Sequence, residues 1–236
     1  MDKTEGLFAS AVIVAAGRGT RMGMDINKQY MDICGKPMLA RTLQVFEDCS
    51  CIDEVILVVN SRDIFYCRHN IIERFNFSKV RSLVSGGETR QNSVYNGLCN
   101  ISNRCDVVLI HDGARPFIRS EEIISCIDTA YEFGASAIAT PVKDTIKLAD
   151  DEGFIRETLD RSVLWAVQTP QAFLCSLIMA AHRKAMEDGF TGTDDAVLVE
   201  RMGIKVKLVK GSYNNIKVTT KEDIKLAEIL ANSGEY

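Results

Sequence analysis

The chain has 236 residues, 46% of them hydrophobic, and a formal net charge of −4. That length fits one large α/β domain or two small ones, and the hydrophobic share is enough for a proper core. The acidic balance argues against a broad nucleic-acid-binding surface, so a phosphate site must concentrate its positive charge locally; no stretch approaches a membrane span in length.

The apolar run at residues 8–14 reads as a buried strand. It breaks into Ala15-Ala16-Gly17-Arg18-Gly19-Thr20-Arg21-Met22, followed by Lys28-Gln29. Small residues in such a turn let backbone N–H groups approach an anion closely. Arg21 and Lys28 add two cations, which suits a nucleoside triphosphate attacked at its α-phosphate. The glycine spacing is wrong for a dinucleotide fingerprint, and Gly35-Lys36 is followed by Pro37, so it is not a P-loop. For the loop alone, a glycine-rich surface turn explains the residues equally well.

Further along, residues 38–46 have helical spacing and 54–59 read as a strand. A helical stretch near 64–75, a strand at 80–84 and a helix over 93–99 follow. Residues 106–110 predict a strand, 121–133 a helix with Ser120 as its N-cap, and 135–140 another strand. This rhythm predicts a mostly parallel sheet with helices on both faces, with ligands at the carboxyl ends of strands. Ala15, Gly86 and Asp112 fall at such ends. Between 141 and 160 two short alternating runs flank Asp150-Asp151-Glu152-Gly153 and predict a hairpin arm. An isolated hairpin is marginal in water, so the arm is expected to dock, on its own domain or on a second subunit. Helices over 172–187 and 196–202, a strand at 205–209 and a helix at 222–230 complete one domain, 1–236, carrying one arm.

Several segments bear chemistry. Gly86-Gly87-Glu88-Thr89-Arg90-Gln91-Asn92-Ser93 is a second glycine turn feeding a helix, whose N-terminus favours polar or anionic groups. There Ser93 suits a base edge and Arg90 supports the turn; a capped loop is the competing account. In His111-Asp112-Gly113-Ala114-Arg115-Pro116 the carboxylate suits a metal ion or a ribose hydroxyl, or equally a structural pairing with Arg115. His111 reads as structural, since a phosphate nucleophile needs no base. Thr191-Gly192-Thr193-Asp194-Asp195 caps a helix and offers a hydroxyl to a phosphate. Lys217 and Thr219 share one side of an extended segment. The eight cysteines contain no C-x-x-C pair and no zinc-like spacing, which fits a reducing cytosol. The segment before residue 8 resembles neither a signal nor a transit peptide, so a bacterial-type cytoplasmic location is expected.

Taken together and in order, these segments resemble the 2-C-methyl-D-erythritol 4-phosphate cytidylyltransferase family over residues 11–230. The marks are the Ala15–Met22 loop, Lys28-Gln29-Tyr30, Gly86–Ser93, His111–Pro116, Asp160-Arg161 with Leu164-Trp165, Thr169-Pro170-Gln171, Thr193-Asp194 and Asn215-Ile216-Lys217-Val218-Thr219. Asn27 and Gly113 depart from the usual Pro and Ala. The resemblance implies a Rossmann-like nucleotidyltransferase fold whose hairpin arm dimerises the enzyme. It implies cytidylyl transfer from CTP, with Mg²⁺ or another divalent cation, to 2-C-methyl-D-erythritol 4-phosphate, releasing pyrophosphate. Carried over, Arg21, Lys28, Lys217 and Arg161 are catalytic. Ala15, Gly87, Glu88 and Ser93 line the cytosine pocket and Gly113 the ribose, with Ala16, Gly17, Gly19 and Arg90 completing the CTP site. Thr145 and Arg161 reach the acceptor from the neighbouring subunit, with Arg115, Thr193, Thr219 and Asp112 also at the substrate site. Asp112 is the one side chain considered for the metal. A ribitol-5-phosphate cytidylyltransferase, a sugar-1-phosphate nucleotidyltransferase and a non-catalytic nucleotide-binding homologue are the alternatives.

Overall fold

Residues 6–17 and 28–234 are described by the structure, a computed structural model. In chain order the elements are β1 (Ala9–Ala15), β2 (Asp32–Ile33), β3 (Lys36–Pro37), α1 (Met38–Asp48), β4 (Glu54–Val59) and α2 (Ile64–Cys67), which runs on as a π-helical stretch, Arg68–Glu73. Next come β5 (Val80–Ser85), α3 (Arg90–Leu98), β6 (Val107–Asp112), α4 (Ser120–Phe133) and β7 (Ala135–Pro141). The last third holds β8 (Lys147–Ala149), β9 (Ile155–Thr158), β10 (Trp165–Leu174), α5 (Cys175–Glu187), α6 (Ala196–Glu200), β11 (Lys207–Lys210) and α7 (Lys221–Ser233).

Seven strands form one sheet in the order β11-β7-β10-β6-β1-β4-β5. β1 pairs in parallel with β4 and β6, β4 with β5, and β7 with β11. Side chains alternate across a strand, so each central strand feeds two cores. Ala9, Ala11, Ile13 and Ala15 face one core with Leu39, Leu43 and Phe46 of α1 and Ile123 and Ile127 of α4. Val12, Ile56, Val58, Val108 and Ile110 face the other, with Val94 and Leu98 of α3 and Ile178 and Ala181 of α5. Burial on both faces explains why residues 55–59 of β4 and 107–110 of β6 read as continuous apolar runs. A smaller cluster seats α7 against Met38, Phe117 and Val218.

Several boundaries differ from expectation, most by one to three residues, and the larger or more telling differences are these. Ala172, Phe173 and Leu174 belong to β10, and α5 starts only at Cys175. β10 is antiparallel to both β6 and β7, and its ladder with β7 shifts register between Val167 and Gln171, which obscures its period. Ser120 is the first residue of α4 rather than its cap; the preceding Arg119 N–H donates to Glu122 Oε2 at 3.0 Å. The next helix, α6, closes at Glu200, and β11 is shifted towards the C-terminus to Lys207–Lys210. The arm is present as β8 against β9, with Lys147 opposite Thr158, and both strands are exposed along their length.

Candidate active site

The carboxyl ends of β1, β4, β5 and β6 lie side by side at one edge of the sheet, as their parallel pairing requires. A cleft of about 720 Å³ opens there. Ala15, Ala16 and Gly17 line it from the end of β1, and Asn60 from the end of β4. Gly87, Glu88, Thr89, Arg90 and Ser93 come from the turn into α3, Asp112 from β6, and Lys28, Gln29, Lys217 and Thr219 from loops. Most of the positions expected to hold the nucleotide therefore converge. A second cleft of similar size, lined by Lys36, Arg41, Asp48, Arg119 and Glu121 among others, contains none of them.

Local contacts explain how this wall is built. Gln29 is 3% exposed, and its Nε2 donates to the Ala15 carbonyl at 2.8 Å, pinning the end of β1. The two small-residue turns touch: a Cβ at Gly86 would sit 2.3 Å from the Ala16 Cβ. Thr89 caps α3 by accepting from Asn92 N–H at 3.0 Å. Ser93 Oγ donates to the Thr89 carbonyl and accepts from Gly87 N–H, at 2.9 and 3.1 Å, so it holds the turn while facing the cleft. Val218 is buried between Lys217 and Thr219, and this alternation turns both neighbours into the cleft. Lys28 Nζ donates to the Val218 carbonyl at 3.3 Å, bringing the two lysine-bearing segments together.

Charge at the cleft floor is paired. Asp112 Oδ2 lies 2.6 Å from Lys217 Nζ, and Oδ1 lies 3.3 Å from Arg90 Nε. Burial alone would raise the Asp112 pKa; the adjacent Arg90 and Lys217 cations outweigh it and hold the carboxyl far below the usual range. Its partners are thus Arg90 and Lys217, in place of the pairing with Arg115 considered above. Arg115 Nη1 instead donates to the Asn215 carbonyl at 2.7 Å. His111 is fully buried with Nε2 3.0 Å from the Arg115 carbonyl, and burial pushes its pKa down to about 4. At neutral pH it is uncharged and structural, which agrees with the reading that a phosphate nucleophile needs no base from it.

Other candidates lie apart. Gly113 is buried and does not line the cleft; a Cβ there would meet Ala15 Cβ at 3.0 Å and Leu39 Cδ1 at 3.1 Å, so its backbone packs between β1 and α1. Arg115, Thr145, Arg161 and Thr193 are also outside the lining. Arg161 and Thr145 are exposed on the arm, with Arg161 Nη1 donating to the Lys143 carbonyl at 2.9 Å. Thr193 is exposed in the turn before α6. Arg21 and Gly19 fall outside the described residues. Sequence reasoning missed Asn60, whose only signal is a polar residue directly after an apolar strand, and Asp195. The latter is 1% exposed, with Oδ2 2.7 Å from Arg90 Nη1.

A mostly parallel sheet with glycine-lined turns and lysines at its carboxyl edge defines an α/β protein of the nucleotidyltransferase type. Residues 9–233 match the family model IspD, 2-C-methyl-D-erythritol 4-phosphate cytidylyltransferase. The chain belongs to that family. It is 53% identical over 220 residues to the 2-C-methyl-D-erythritol 4-phosphate cytidylyltransferase of Caldanaerobacter subterraneus subsp. tengcongensis, covering 93% of this chain and 97% of the relative. The namesake enzyme of Geobacillus kaustophilus is 49% identical, with 94% and 96% covered. The crystal structure of 4-diphosphocytidyl-2C-methyl-D-erythritol synthase from Anaerococcus prevotii matches with a TM-score of 0.86 at 36% identity, covering 97% and 98%. The cytidylyltransferase structure from Thermus thermophilus matches at 0.78 and 31%, covering 96% and 100%. The fold is therefore the Rossmann-like nucleotidyltransferase fold expected from the sequence.

Proposed function

We propose that this chain transfers the cytidylyl group of CTP to the phosphate of 2-C-methyl-D-erythritol 4-phosphate, giving 4-diphosphocytidyl-2-C-methyl-D-erythritol and pyrophosphate. Family membership supports the substrates, and one observation carries the chemistry: Lys28 and Lys217 face the same glycine-lined cleft, joined through the Val218 segment. An oxygen of the acceptor phosphate attacks Pα of CTP. The new O–Pα bond forms in line with the breaking bond to the β-phosphate, and pyrophosphate leaves with that electron pair. A phosphate monoester is largely dianionic at neutral pH, so no general base is required. The need is for fixed positive charge on the non-bridging oxygens as charge shifts towards the leaving group. Lys28 and Lys217 meet it, and Arg21 is assigned the same task. Ala15, Ala16, Gly17 and Gly87 offer backbone to the nucleotide, and Ser93 and Glu88 flank the base. Thr219, whose Oγ1 is held by Asp223 Oδ2 at 3.0 Å, borders the acceptor.

A divalent cation suits this site only as an ion carried by the nucleotide. No cluster of three or more His, Cys, Asp or Glu side chains suited to a metal exists among the described residues, and both Asp112 oxygens already face cations. Mg²⁺ commonly keeps several waters and binds through substrate phosphates with one or two carboxylates. When bound it would neutralise charge on the triphosphate, with Asp112 the side chain assigned to help hold it.

The arm supports a homodimeric reading. Arg161 and Thr145 are assigned to the acceptor in the neighbouring subunit's cleft. The test of function is pyrophosphate release from CTP with Mg²⁺, offering 2-C-methyl-D-erythritol 4-phosphate and ribitol 5-phosphate separately. Strong preference for the first is expected. Preference for ribitol 5-phosphate would overturn the acceptor, and CTP binding without turnover on either would overturn catalysis.

A further inference from the structure

Behind the cleft, charged side chains from separate elements form a line. Arg90, from α3, is shared between two carboxylates. Its Nη1 lies 2.7 Å from Asp195 Oδ2, whereas its Nε lies 3.3 Å from Asp112 Oδ1. The shorter contact is to Asp195, which is 1% exposed and does not line the cleft. Asp112 is thus left with a long contact to Arg90 on one oxygen and a 2.6 Å contact to Lys217 on the other. Around Asp195 stand Arg90, His182 of α5 with Nε2 3.3 Å from Oδ1, and Gln171 of β10, whose Oε1 accepts from Asp195 N–H at 3.1 Å.

We propose that Asp195 is a positioning residue for Lys217, acting through Arg90 and Asp112. The inference rests on the reading of Lys217 as a catalytic cation. A guanidinium is a rigid fork that favours bidentate pairing with a single carboxylate. With Nη1 drawn to Asp195 at 2.7 Å, the guanidinium is anchored where it reaches Asp112 through one long contact, Nε to Oδ1 at 3.3 Å, and Asp112 keeps Oδ2 for Lys217. Without the Asp195 charge that anchor is lost, and the guanidinium is free to turn its Nε–Nη2 edge onto Asp112, the remaining one of its two carboxylates. The bidentate arrangement then claims both Asp112 oxygens, including the one that orients Lys217. Asp195 therefore governs where the lysine ammonium sits without touching any substrate.

The test is Asp195→Asn, which keeps shape and removes charge, with folding checked by thermal melting. Arg90→Lys is the second variant, because one ammonium cannot span both carboxylates. Asp195→Asn, whose side chain lies outside the cleft lining, is expected to lower kcat by about tenfold or more while the KM for CTP moves by less than about threefold; Arg90→Lys, which alters the lining itself, is expected to lower kcat likewise and to raise the KM for CTP as well. Each is also combined with Lys217→Met, where the further loss is expected to shrink to within about twofold. A crystal structure of Asp195→Asn is expected to show Asp112 drawn onto Arg90, with its contact to Lys217 opened beyond hydrogen-bond distance. Equal kcat losses with and without Lys217 would overturn the proposal, since they mark a general structural defect. A variant crystal with the Asp112–Lys217 contact intact would overturn it as well. A wild-type protein inactive with CTP and 2-C-methyl-D-erythritol 4-phosphate would sink the proposed reaction instead, and the crystallographic distance would still decide the positioning.

Discussion

Adjacent residues His111 and Asp112 make the fold acid-sensitive in two separate windows. An unfolded histidine takes its proton near pH 6.5, whereas burial holds native His111 neutral down to about 4. Between those values the unfolded chain binds more protons than the native one, so unfolding becomes easier as pH falls. The contribution of His111 to this loss is about 3 kcal/mol between pH 7 and 4. For Asp112 the native pKa is depressed, so its contribution is present above about pH 4 and drains away only below it. Urea unfolding from pH 7 to 3 is expected to show both windows, and His111→Gln to flatten the upper one alone. An unchanged upper slope in that variant would show that another group titrates there. At neutral pH, Asp112→Asn leaves the 42% exposed Lys217 without its carboxylate while Arg90 keeps Asp195, and a loss of about 1 kcal/mol is expected from denaturant midpoints. For catalysis, Lys217→Ala is expected to lower kcat by about 10²- to 10³-fold, as removal of one preorganised charge-stabilising group does elsewhere. Steady-state kinetics checks it; a change confined to KM would assign Lys217 to ground-state binding.

At the scale of elements, the placement of α3 decides whether Arg90 and Ser93 reach the cleft. The helix lies close on the sheet because Gly97 has no side chain: a Cβ there would sit 2.5 Å from Val12 Cγ1 and 3.0 Å from Val58 Cγ2. Gly97→Ala is expected to lift the helix and cost about 1–3 kcal/mol of overpacking, more than the ~1 kcal/mol gained in helix propensity. The KM for CTP should rise several-fold in the same variant. A protein as stable as wild type, with unchanged KM, would show that Val12 and Val58 repack freely. What the sequence made legible follows the same logic. β4 was readable to the residue because both its faces are buried and five of its six side chains are apolar. The turns after β1 and β5 announced themselves through their glycines. β10 was hidden: Gln168, Thr169, Pro170 and Gln171 look like a loop, yet these residues carry the structure's internal wiring. Thr169 Oγ1 accepts from Asp112 N–H at 3.0 Å, and Gln171 Nε2 donates to Asp194 Oδ2 at 2.8 Å. Polar side chains that bind distant backbone leave no periodic trace. The pairing of Asp112 with Arg90, 22 positions away, and with Lys217, 105 away, is equally silent in a linear reading.

The whole molecule raises the question of what the arm does. β8 and β9 have no buried residue, and Phe154, Ile155 and Val163 are 67%, 64% and 72% exposed. A lone two-stranded hairpin is marginal in water, and exposed apolar side chains at its tip and base suit a partner surface. Arg161 belongs to the same region, and it does not line the cleft of its own chain. In a symmetric dimer each arm reaches the other subunit, so each complete site would take Lys28 from one chain and Arg161 from the other. This arrangement has a consequence that a merely adhesive arm lacks. Arg161→Ala and Lys28→Ala homodimers are each expected to be nearly inactive, since both of their sites lack one cation. A heterodimer of the two variants holds one site lacking both cations and one site lacking neither. After full exchange of equal amounts, half of the dimers are mixed, and activity should recover to about one quarter of wild type. Exchange is verified independently by native mass spectrometry of differently tagged chains. If mixed dimers form and activity stays at the level of the parents, Arg161 serves the subunit that carries it, and the shared-site reading fails while the dimer stands. If no dimer is detected at all, the arm packs on something other than a second copy, and the exposed Phe154–Ile155 tip becomes the place to search for it.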